Sequence, residues 1–435
     1  MSLGTVAIVG TPNVGKSTIF NRITGERKSI IDDQPGVTRD RIYSKATWLT
    51  KEFRLIDTGG VEIENHPFQE QIRAQVEIAL EEADVILFVT DGKLGITKDD
   101  RMVAKMLHKS NKPVVLAVNK IDDGAHVGDI NEFYALGIGD PIAVSGAHGI
   151  GIGDILDQII ALLPEKEEKE YEGQICFSII GRPNVGKSSL VNAILNQSRV
   201  IASPIEGTTR DAIDTSFRRE GRDYVVIDTA GLKKRGRIYE AVDKYAALRA
   251  LAAIDRSDIV LLVIDAKEGI REQDKHVAGY AIDAHKAMII VVNKWDAVTK
   301  DHRTMSEFTK KVREEFKFLD YVPIVFVSAL ERTRIQQIFQ AIDVAYDAYH
   351  SHVSTSVLNE IMQDAQVMNP APYFNGGRIK ILFANQATTC PPTFILFVND
   401  PHFMHFSYER YLENRIRNAF TLEGSPIQFI LRERK

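Results

Sequence analysis

The stretch Gly10-Thr-Pro-Asn-Val-Gly-Lys-Ser17 returns almost unchanged as Gly181-Arg-Pro-Asn-Val-Gly-Lys-Ser188. Both copies fit the pattern G-x-x-x-x-G-K-[ST], and each directly follows an apolar run, Val6–Val9 or Ile175–Ile180. In such a loop the glycines let successive backbone N–H groups point at phosphate oxygens, and the following helix adds its unpaired donors. A single match can be a chance glycine-rich turn. Two copies, each between a strand and a helix, predict two sites for a nucleoside triphosphate.

Each predicted loop has a lysine that we expect to reach the β and γ phosphates, followed by a serine that we expect to hold Mg²⁺. The predicted nucleotide-binding residues of the first loop are Gly10, Thr11, Pro12, Asn13, Val14, Gly15, Lys16, Ser17 and Thr18. Those of the second loop are Gly181, Arg182, Pro183, Asn184, Val185, Gly186, Lys187, Ser188 and Ser189.

The repetition extends far beyond the two loops. Corresponding residues are 171 positions apart early in the repeat and 174 apart later: Gly10 and Gly181, Asp57 and Asp228, Asn119 and Asn293. Solenoid repeats have periods of roughly 20–50 residues, so this spacing indicates the duplication of a whole domain.

Apolar runs alternate with segments of helical spacing in both copies. In the first copy Val85–Val89 and Val114–Val118 are typical of buried strands, and Phe68–Glu82 and Lys98–Lys109 are typical of helices. This alternation predicts α/β domains whose mostly parallel sheets carry helices on both faces.

The pattern changes after about Ile342. There the order becomes α-β-β-α-β, with Ile379, Ile381 and Phe383 alternating as in a strand that buries one face, which predicts a small α+β domain. The predicted division is a first nucleotide-binding domain at 1–163, an acidic linker at 164–173, a second nucleotide-binding domain at 174–345 and the small domain at 346–435.

Two four-residue motifs predict which base is bound. Asn119-Lys-Ile-Asp122 and Asn293-Lys-Trp-Asp296 each end an apolar strand behind a phosphate loop. A carboxylate there can accept hydrogen bonds from the N1–H and the amino group of guanine, whereas adenine would leave it unpaired at a cost of about 1–3 kcal/mol. The sequence therefore predicts guanine nucleotides. The residues assigned to this part of the two sites are Asn119, Lys120, Asp122, Ser145, Gly146 and Ala147, and Asn293, Lys294, Asp296, Ser328, Ala329 and Leu330.

Further residues are expected around Mg²⁺ and the γ-phosphate. Asp57-Thr-Gly-Gly60 and Asp228-Thr-Ala-Gly231 each end a short strand, and their aspartates are assigned to Mg²⁺ and their final glycines to the γ-phosphate. Thr38 and Thr209 are expected to close over Mg²⁺ from the other side. As isolated strings these patterns also occur in turns and helix caps, and their order and spacing favour the nucleotide site. The residues assigned to this part are Thr38, Asp57, Thr58, Gly59, Gly60, Thr209, Asp228, Thr229, Ala230 and Gly231.

Composition narrows the class of protein. The 435 residues carry a formal net charge of −5, so no global positive charge indicates DNA binding. No apolar run reaches the roughly 18 residues needed to cross a bilayer, and no signal peptide is recognisable, so we expect a soluble, cytoplasmic monomer without a membrane partner. The two cysteines, Cys176 and Cys390, are expected to be buried and reduced.

The motifs taken together resemble the translation-factor-related GTPases, and two such domains in one chain resemble the EngA/Der family in particular. The resemblance covers essentially the full length, including the acidic linker and a C-terminal domain similar to a KH domain. It implies GTP binding and hydrolysis, a role in late assembly of the large ribosomal subunit, and binding to its ribosomal RNA.

The chain lacks a side chain that many GTPases use to orient the water that attacks GTP. Many GTPases have glutamine after the D-x-x-G glycine, but Val61 and Leu232 stand there in this chain. Related GTPases use a potassium ion held by the phosphate-loop asparagine, so the resemblance implies potassium-stimulated turnover with Asn13 and Asn184 as ligands. The alternative is that these asparagines only stabilise the loop. The residues assigned to catalysis are Asn13, Lys16, Thr38, Gly60, Asn184, Lys187, Thr209 and Gly231.

The role of the C-terminal domain stays open at this point. KH domains clamp the nucleic-acid backbone with a G-x-x-G loop, and the nearest stretch, Asn375-Gly-Gly-Arg378, does not fit. RNA binding and protein docking are both compatible with it. Two other functions remain for the whole chain: a nucleotide-dependent module that docks to a protein or membrane, and a GTPase partner in RNA modification.

Overall fold

The computed structural model describes residues 4–25, 43–49, 51–58, 68–122, 124–164, 171, 173–197, 214–228, 243–299 and 301–434. The described chain divides into two compact units. One holds the sheet of the first repeat, and the other holds the sheet of the second repeat together with the C-terminal domain.

The first unit contains a six-stranded sheet in the order β2-β3-β1-β4-β5-β6. Its strands are β1 (Gly4–Val9), β2 (Tyr43–Trp48), β3 (Lys51–Asp57), β4 (Val85–Asp91), β5 (Val114–Asn119) and β6 (Pro141–Ala143). Its helices are α1 (Lys16–Thr24), α2 (Phe68–Glu82), α3 (Lys98–His108) and α4 (Ile152–Leu162), with a 3-10 helix over Gly124–Leu136. Only β2 pairs antiparallel to its neighbour; the other pairs are parallel.

The two faces of this sheet explain the apolar runs in the sequence. Along β1, Ala7 and Val9 pack into the core under α2 and α3, while Val6 and Ile8 pack into the core under α1 and α4. A strand covered on both faces buries every residue, so the run is continuous rather than alternating. The predicted mostly parallel sheet with helices on both faces is confirmed.

The second repeat builds the same sheet order, β8-β9-β7-β10-β11-β12. Its strands are β7 (Ile175–Ile180), β8 (Thr215–Arg219), β9 (Arg222–Val226), β10 (Ile259–Asp265), β11 (Ala287–Asn293) and β12 (Ile324–Phe326). Its helices are α5 (Lys187–Gln197), α6 (Asp243–Arg256), α7 (Glu272–Asp283), α8 (Thr304–Glu315) and α9 (Ile335–Tyr349), with a 3-10 turn at Trp295–Ala297. The edge strands β2 and β8 were not predicted.

The C-terminal domain has the predicted α-β-β-α-β order. Its elements are α10 (Thr355–Met368), β13 (Ile381–Thr388), β14 (Thr393–Val398), a 3-10 turn (Pro401–Phe403), α11 (Phe406–Ala419) and β15 (Gln428–Glu433). β14 is central, antiparallel to β13 and parallel to β15. One expectation fails locally: a register shift between Ile381 and Phe383 breaks the alternation, so Phe383 is exposed and Ala384 is buried instead.

The C-terminal domain packs directly on the domain of the second repeat. The backbone N–H of Gly424 donates to the Tyr321 oxygen at 2.9 Å, and its own oxygen accepts from the Met288 N–H at 2.8 Å. The Arg417 guanidinium lies 4.1 Å above the centre of the Tyr321 ring. Met288 belongs to β11, so this contact reaches the strand that ends in Asn293.

The two cysteines differ in environment. Cys176 is buried in β7, as expected, but Cys390 is exposed, so the expectation of burial was wrong for it. Cys390 lies in the turn between β13 and β14, where the chain reverses at the surface. Neither of these two described cysteines forms a disulfide bond.

Candidate guanine-nucleotide sites

The first phosphate loop runs from the end of β1 into α1, as its sequence predicts. Gly10 has a φ of 154°, and a Cβ there would lie 2.2 Å from the Val89 oxygen of the neighbouring strand. Only glycine fits such a close approach. The Lys16 side chain folds back over the loop, and its Nζ donates to the Gly10 oxygen at 2.7 Å and to the Thr11 oxygen at 2.8 Å.

The second loop has the same construction between β7 and α5. A Cβ on Gly181, whose φ is 148°, would lie 2.6 Å from the Val263 oxygen. Nζ of Lys187 donates to the Gly181 oxygen at 2.6 Å and to the Arg182 oxygen at 2.8 Å. The ammonium groups of both lysines thus lie at their phosphate loops, where a bound anion would contact them.

Burial affects the charge of both lysines. It lowers the pKa of Lys16, and the nearby carboxylate of Asp57 opposes this effect. Burial lowers the pKa of Lys187 to about 8, where the Asp274 carboxylate opposes the effect and the Arg182 charge adds to it. A phosphate placed between the loop and the ammonium group would favour the charged form again.

Two of the three magnesium residues predicted in the first copy, Ser17 and Asp57, lie together. Oγ of Ser17 donates to Oδ2 of Asp57 at 2.7 Å, so a hydroxyl and a carboxylate lie side by side where α1 begins and β3 ends. Oxygen donors of this kind suit Mg²⁺. The neighbouring Thr58 is fully buried, and its hydroxyl donates to the Ile8 oxygen at 2.6 Å, which fixes the end of β3 against β1.

In the second copy Asp228 follows β9 in a left-handed backbone conformation, with a φ of 59°. Its N–H donates to Oδ1 of Asp214 at 2.9 Å. The remaining predicted residues of this region lie outside the described residues: Thr38, Gly59, Gly60, Thr209, Thr229, Ala230 and Gly231, together with Val61 and Leu232.

The asparagine of each base motif joins two nucleotide loops. Nδ2 of Asn119 donates to the Val14 oxygen at 2.7 Å, and its Oδ1 accepts from the Gly146 N–H at 2.9 Å. The second copy repeats this with Asn293, which contacts the Val185 oxygen at 2.9 Å and the Ala329 N–H at 3.0 Å. Each asparagine therefore ties a phosphate loop to the loop that contains Ser145 or Ser328.

The predicted serines fix the two aspartates that the sequence assigns to base recognition. Asp122 accepts from the Ser145 hydroxyl at 2.8 Å and from Nζ of Lys93 at 2.6 Å. These two hydrogen bonds lower the pKa of Asp122, so the carboxylate is ionised and able to accept. Asp296 accepts from the Ser328 hydroxyl in the same way. Ala147 and the strongly exposed Leu330 complete these loops.

Two aspartates in the sites were not predicted. Nζ of Lys120 pairs with Asp91 at the end of β4, and Nζ of Lys294 pairs with Oδ2 of Asp265 at 2.6 Å at the end of β10. Asp91 and Asp265 are 174 positions apart, the same spacing as Asn119 and Asn293, so a fuller comparison of the repeats would have found them.

An arginine of the first copy was also missed. Arg22 of α1 donates to the Gly146 oxygen at 3.3 Å and to the Ala147 oxygen at 2.5 Å. This contact clamps the base loop onto the helix that follows the phosphate loop. At the corresponding place, 171 residues later, the second copy has Ala193, so the clamp belongs to the first copy.

Within the described part of the chain, no helix is long and apolar enough to cross a membrane.

The comparisons with known proteins agree with this arrangement. A family model described as "50S ribosome-binding GTPase" matches residues 5–120 and again 176–294. A second model, "KH-domain-like of EngA bacterial GTPase enzymes, C-terminal", matches residues 352–432. GTPase Der from Listeria monocytogenes serotype 4a is 58% identical over the whole of both chains. GTPase Der from Macrococcus caseolyticus is 59% identical, also over the whole of both chains.

Among solved structures, an Era protein of Aquifex aeolicus bound to GDP and AlF4⁻ is 20% identical, with 75% of this chain and 93% of that chain covered and a TM-score of 0.32. The assignment does not depend on so weak a likeness. It depends on the full-length identity and on the two family models. With two GTPase domains, which bind GTP and GDP and hydrolyse GTP, and a KH-like C-terminal domain, the chain belongs to the GTPase Der (EngA) family.

Proposed function

We propose that the chain is a GTP-driven switch that acts in the assembly of the large ribosomal subunit. The observation that supports this most is that a family model for 50S ribosome-binding GTPases matches both repeats. The partners in this proposal are the large subunit and its ribosomal RNA, which the protein meets in the cytoplasm as a monomer.

The nucleotide roles follow from the contacts within each site. Lys16 and Lys187 leave their loop carbonyls to contact the β and γ phosphates, and Asp122 and Asp296 read guanine. Ser17 with Asp57, and Ser188 with Asp228, hold Mg²⁺, which neutralises charge on the phosphates when it is bound. Four further residues contact Mg²⁺ or the γ-phosphate: Thr38, Thr209, Gly60 and Gly231. Because the γ-phosphate leaves on hydrolysis, these contacts make the adjoining segments sensitive to hydrolysis.

Asn13 and Asn184 are proposed as potassium ligands. Both have left-handed backbones, with φ values of 66° and 65°, and both are exposed at the loop. Among the described residues neither side-chain amide has a hydrogen-bond partner, so neither is needed to stabilise the loop through one. A cation beside the phosphates would neutralise charge that develops in hydrolysis.

The ribosomal role is tested by sedimentation with ribosomal particles in a non-hydrolysable GTP analogue, in GDP and without nucleotide. We expect association that depends on the nucleotide and that changes in the Lys16→Ala and Lys187→Ala variants. Association that is the same in all three conditions would contradict a nucleotide switch. No association in any of them would instead favour a protein-docking or membrane-docking function.

The potassium role is tested by GTPase rates in potassium chloride and sodium chloride at matched ionic strength. We expect faster turnover in potassium, and the difference should shrink in Asn13→Ala or Asn184→Ala and disappear in the double variant. Equal rates in the two salts for the unmodified protein would refute this role.

A further inference from the structure

The second residue of the phosphate loop differs between the two copies. In the first copy it is Thr11, whose hydroxyl donates to Oδ1 of Asp100 at 3.3 Å. In the second copy it is Arg182, whose side chain is only 8% exposed. Its Nη1 donates to Oε2 of Glu268 at 2.7 Å, and its Nε donates to Oδ2 of Asp274 at 3.3 Å. A single hydrogen bond from a hydroxyl to a carboxylate in one copy is thus replaced in the other by an arginine that donates to two carboxylates.

The carboxylates lie on different structural elements. Glu268 lies in the loop between β10 and α7, whereas Asp274 lies in the first turn of α7 and accepts from the Arg271 N–H at 2.9 Å. Asp274 has a fully buried side chain. A buried carboxylate needs a partner, and breaking such a pair costs far more than breaking one at the surface. Arg182 therefore joins the phosphate loop to a helix N-terminus and to the preceding loop at once.

The contacts continue from Glu268 back to the phosphate loop. The Glu268 N–H donates to Oδ1 of Asp265 at 3.2 Å, and Oδ2 of Asp265 pairs with Nζ of Lys294 at 2.6 Å. The same Nζ donates to the Asn184 oxygen at 2.7 Å. Asn184 is two residues from Arg182, so the contacts form a closed ring, which we call the loop ring: Arg182, Glu268, Asp265, Lys294 and Asn184.

The first copy lacks the charged residues that close this ring. Counting from Asp91, which corresponds to Asp265, the position of Glu268 is occupied by Leu94. Leu94 is 74% exposed and offers no carboxylate to the phosphate loop. Its N–H keeps only the backbone part of the pattern, donating to Oδ1 of Asp91 at 3.3 Å.

We propose that Arg182 is a positioning residue whose closure of the loop ring slows the release of guanine nucleotides from the second domain relative to the first. The inference rests on the proposed assignment of loop 181–188 to the phosphates. The Arg182 oxygen is one of the two acceptors of Lys187, so a shift of Arg182 also moves the anchor of the phosphate-binding lysine. A loop held in shape before binding pays less conformational entropy on binding.

The test measures release of fluorescent GDP and GTP from the full-length chain by stopped flow. A Lys16→Ala background confines the signal to the second domain. We expect Arg182→Thr, which installs the residue of the first copy, to speed release of both nucleotides about tenfold, because differences in affinity at one site appear mainly in the release rate. Arg182→Lys should fall between the two, since a point charge cannot bridge two carboxylates.

Two further variants keep the test decisive if Arg182→Thr fails to fold. Glu268→Gln leaves the Asp274 pair intact and should speed release about threefold, a smaller effect because this carboxylate is partly exposed. The reverse design, Thr11→Arg with Leu94→Glu in a Lys187→Ala background, should slow release from the first domain.

Faster release in Arg182→Thr or Glu268→Gln, with slower release in the reverse design, supports the proposal. Release within twofold of the parent in every folded variant overturns it, even where the melting temperature falls. The underlying site assignment is tested apart from this: if Lys187→Ala leaves nucleotide binding at the second site unchanged, loop 181–188 is not the phosphate site.

Discussion

Asn119 donates its side-chain N–H to the Val14 oxygen at 2.7 Å, so the motif proposed to recognise the base also holds the phosphate loop. Asn293 has the same relationship to Val185. The residues proposed for the base and those proposed for the phosphates thus belong to one hydrogen-bonded body rather than to independent loops.

Replacing Asn119 with alanine should therefore weaken the binding of the whole nucleotide. The change leaves the buried Val14 oxygen and Gly146 N–H without their partner, and each unpaired group costs about 1–3 kcal/mol. If the equivalent of one such cost, about 1–3 kcal/mol, is lost from binding, the dissociation constant for GDP at the first site rises roughly 5- to 150-fold. Titration with fluorescent GDP measures it, and Asn21→Ala, on the exposed side of α1, is the control. An affinity within twofold of the unmodified protein would count against the coupling.

Gly15 lies against the same asparagine. Its φ is 94°, and an added Cβ would lie 2.3 Å from Nδ2 of Asn119. Gly15→Ala should weaken GDP binding at the first site more than Asn119→Ala does, because it combines a strained backbone with a collision. In the double variant Gly15→Ala/Asn119→Ala the collision is absent. The binding free energy lost in the double variant should therefore be smaller than the sum of the losses in the two single variants. Strictly additive losses would show that the backbone strain alone matters.

The sequence predicts both phosphate loops, both base motifs and the parallel core, because each depends on local patterns repeated at a fixed spacing. The edge strands β2 and β8 escape such patterns. Among the residues whose burial is described, each has one buried hydrophobic residue, Ala46 or Phe217, and neither segment contains an apolar run. Their place in the sheet depends on a neighbour that is already folded.

Contacts between distant residues are likewise invisible in local patterns. Arg182 and Glu268 are 86 positions apart, and Asn119 and Val14 are 105 apart. Residue type alone does not reveal which carboxylate an arginine meets across a sheet. The expectation for Cys390 failed for a different reason. The apolar sequence around it indicated burial, but the residue lies in a surface turn.

Asp122→Asn should change the base preference of the first site from guanine towards xanthine. The carboxylate accepts from the N1–H and the amino group of guanine, whereas an amide can also donate to the C2 oxygen that xanthine has in place of the amino group. Competition between GDP and xanthosine diphosphate measures the preference. Asp296→Asn is the matched change in the second site, and the double variant should prefer xanthosine diphosphate at both. A double variant that still prefers GDP would remove these aspartates from base recognition.

Gly424→Ala should destabilise the unit that contains the second GTPase domain and the C-terminal domain. Gly424 has a φ of 76°, and an added Cβ would lie 2.8 Å from Cβ of Ala345 in α9. Overpacking of this kind costs about 1–3 kcal/mol, in addition to the backbone strain. We expect a lower midpoint of urea unfolding for this unit.

Gly376→Ala is the matched control for that change. Its φ is 95°, but an added Cβ there would meet nothing within 4 Å, so it reports the backbone strain alone. The difference between the two variants isolates the contact at Ala345. The Gly424 oxygen also accepts a hydrogen bond from the Met288 N–H in β11. We therefore expect Gly424→Ala, and not Gly376→Ala, to weaken GDP binding at the second site, which contains Asp296. Equal midpoints and equal GDP affinities for the two variants would mean that the packed interface contributes neither stability nor communication with the nucleotide site.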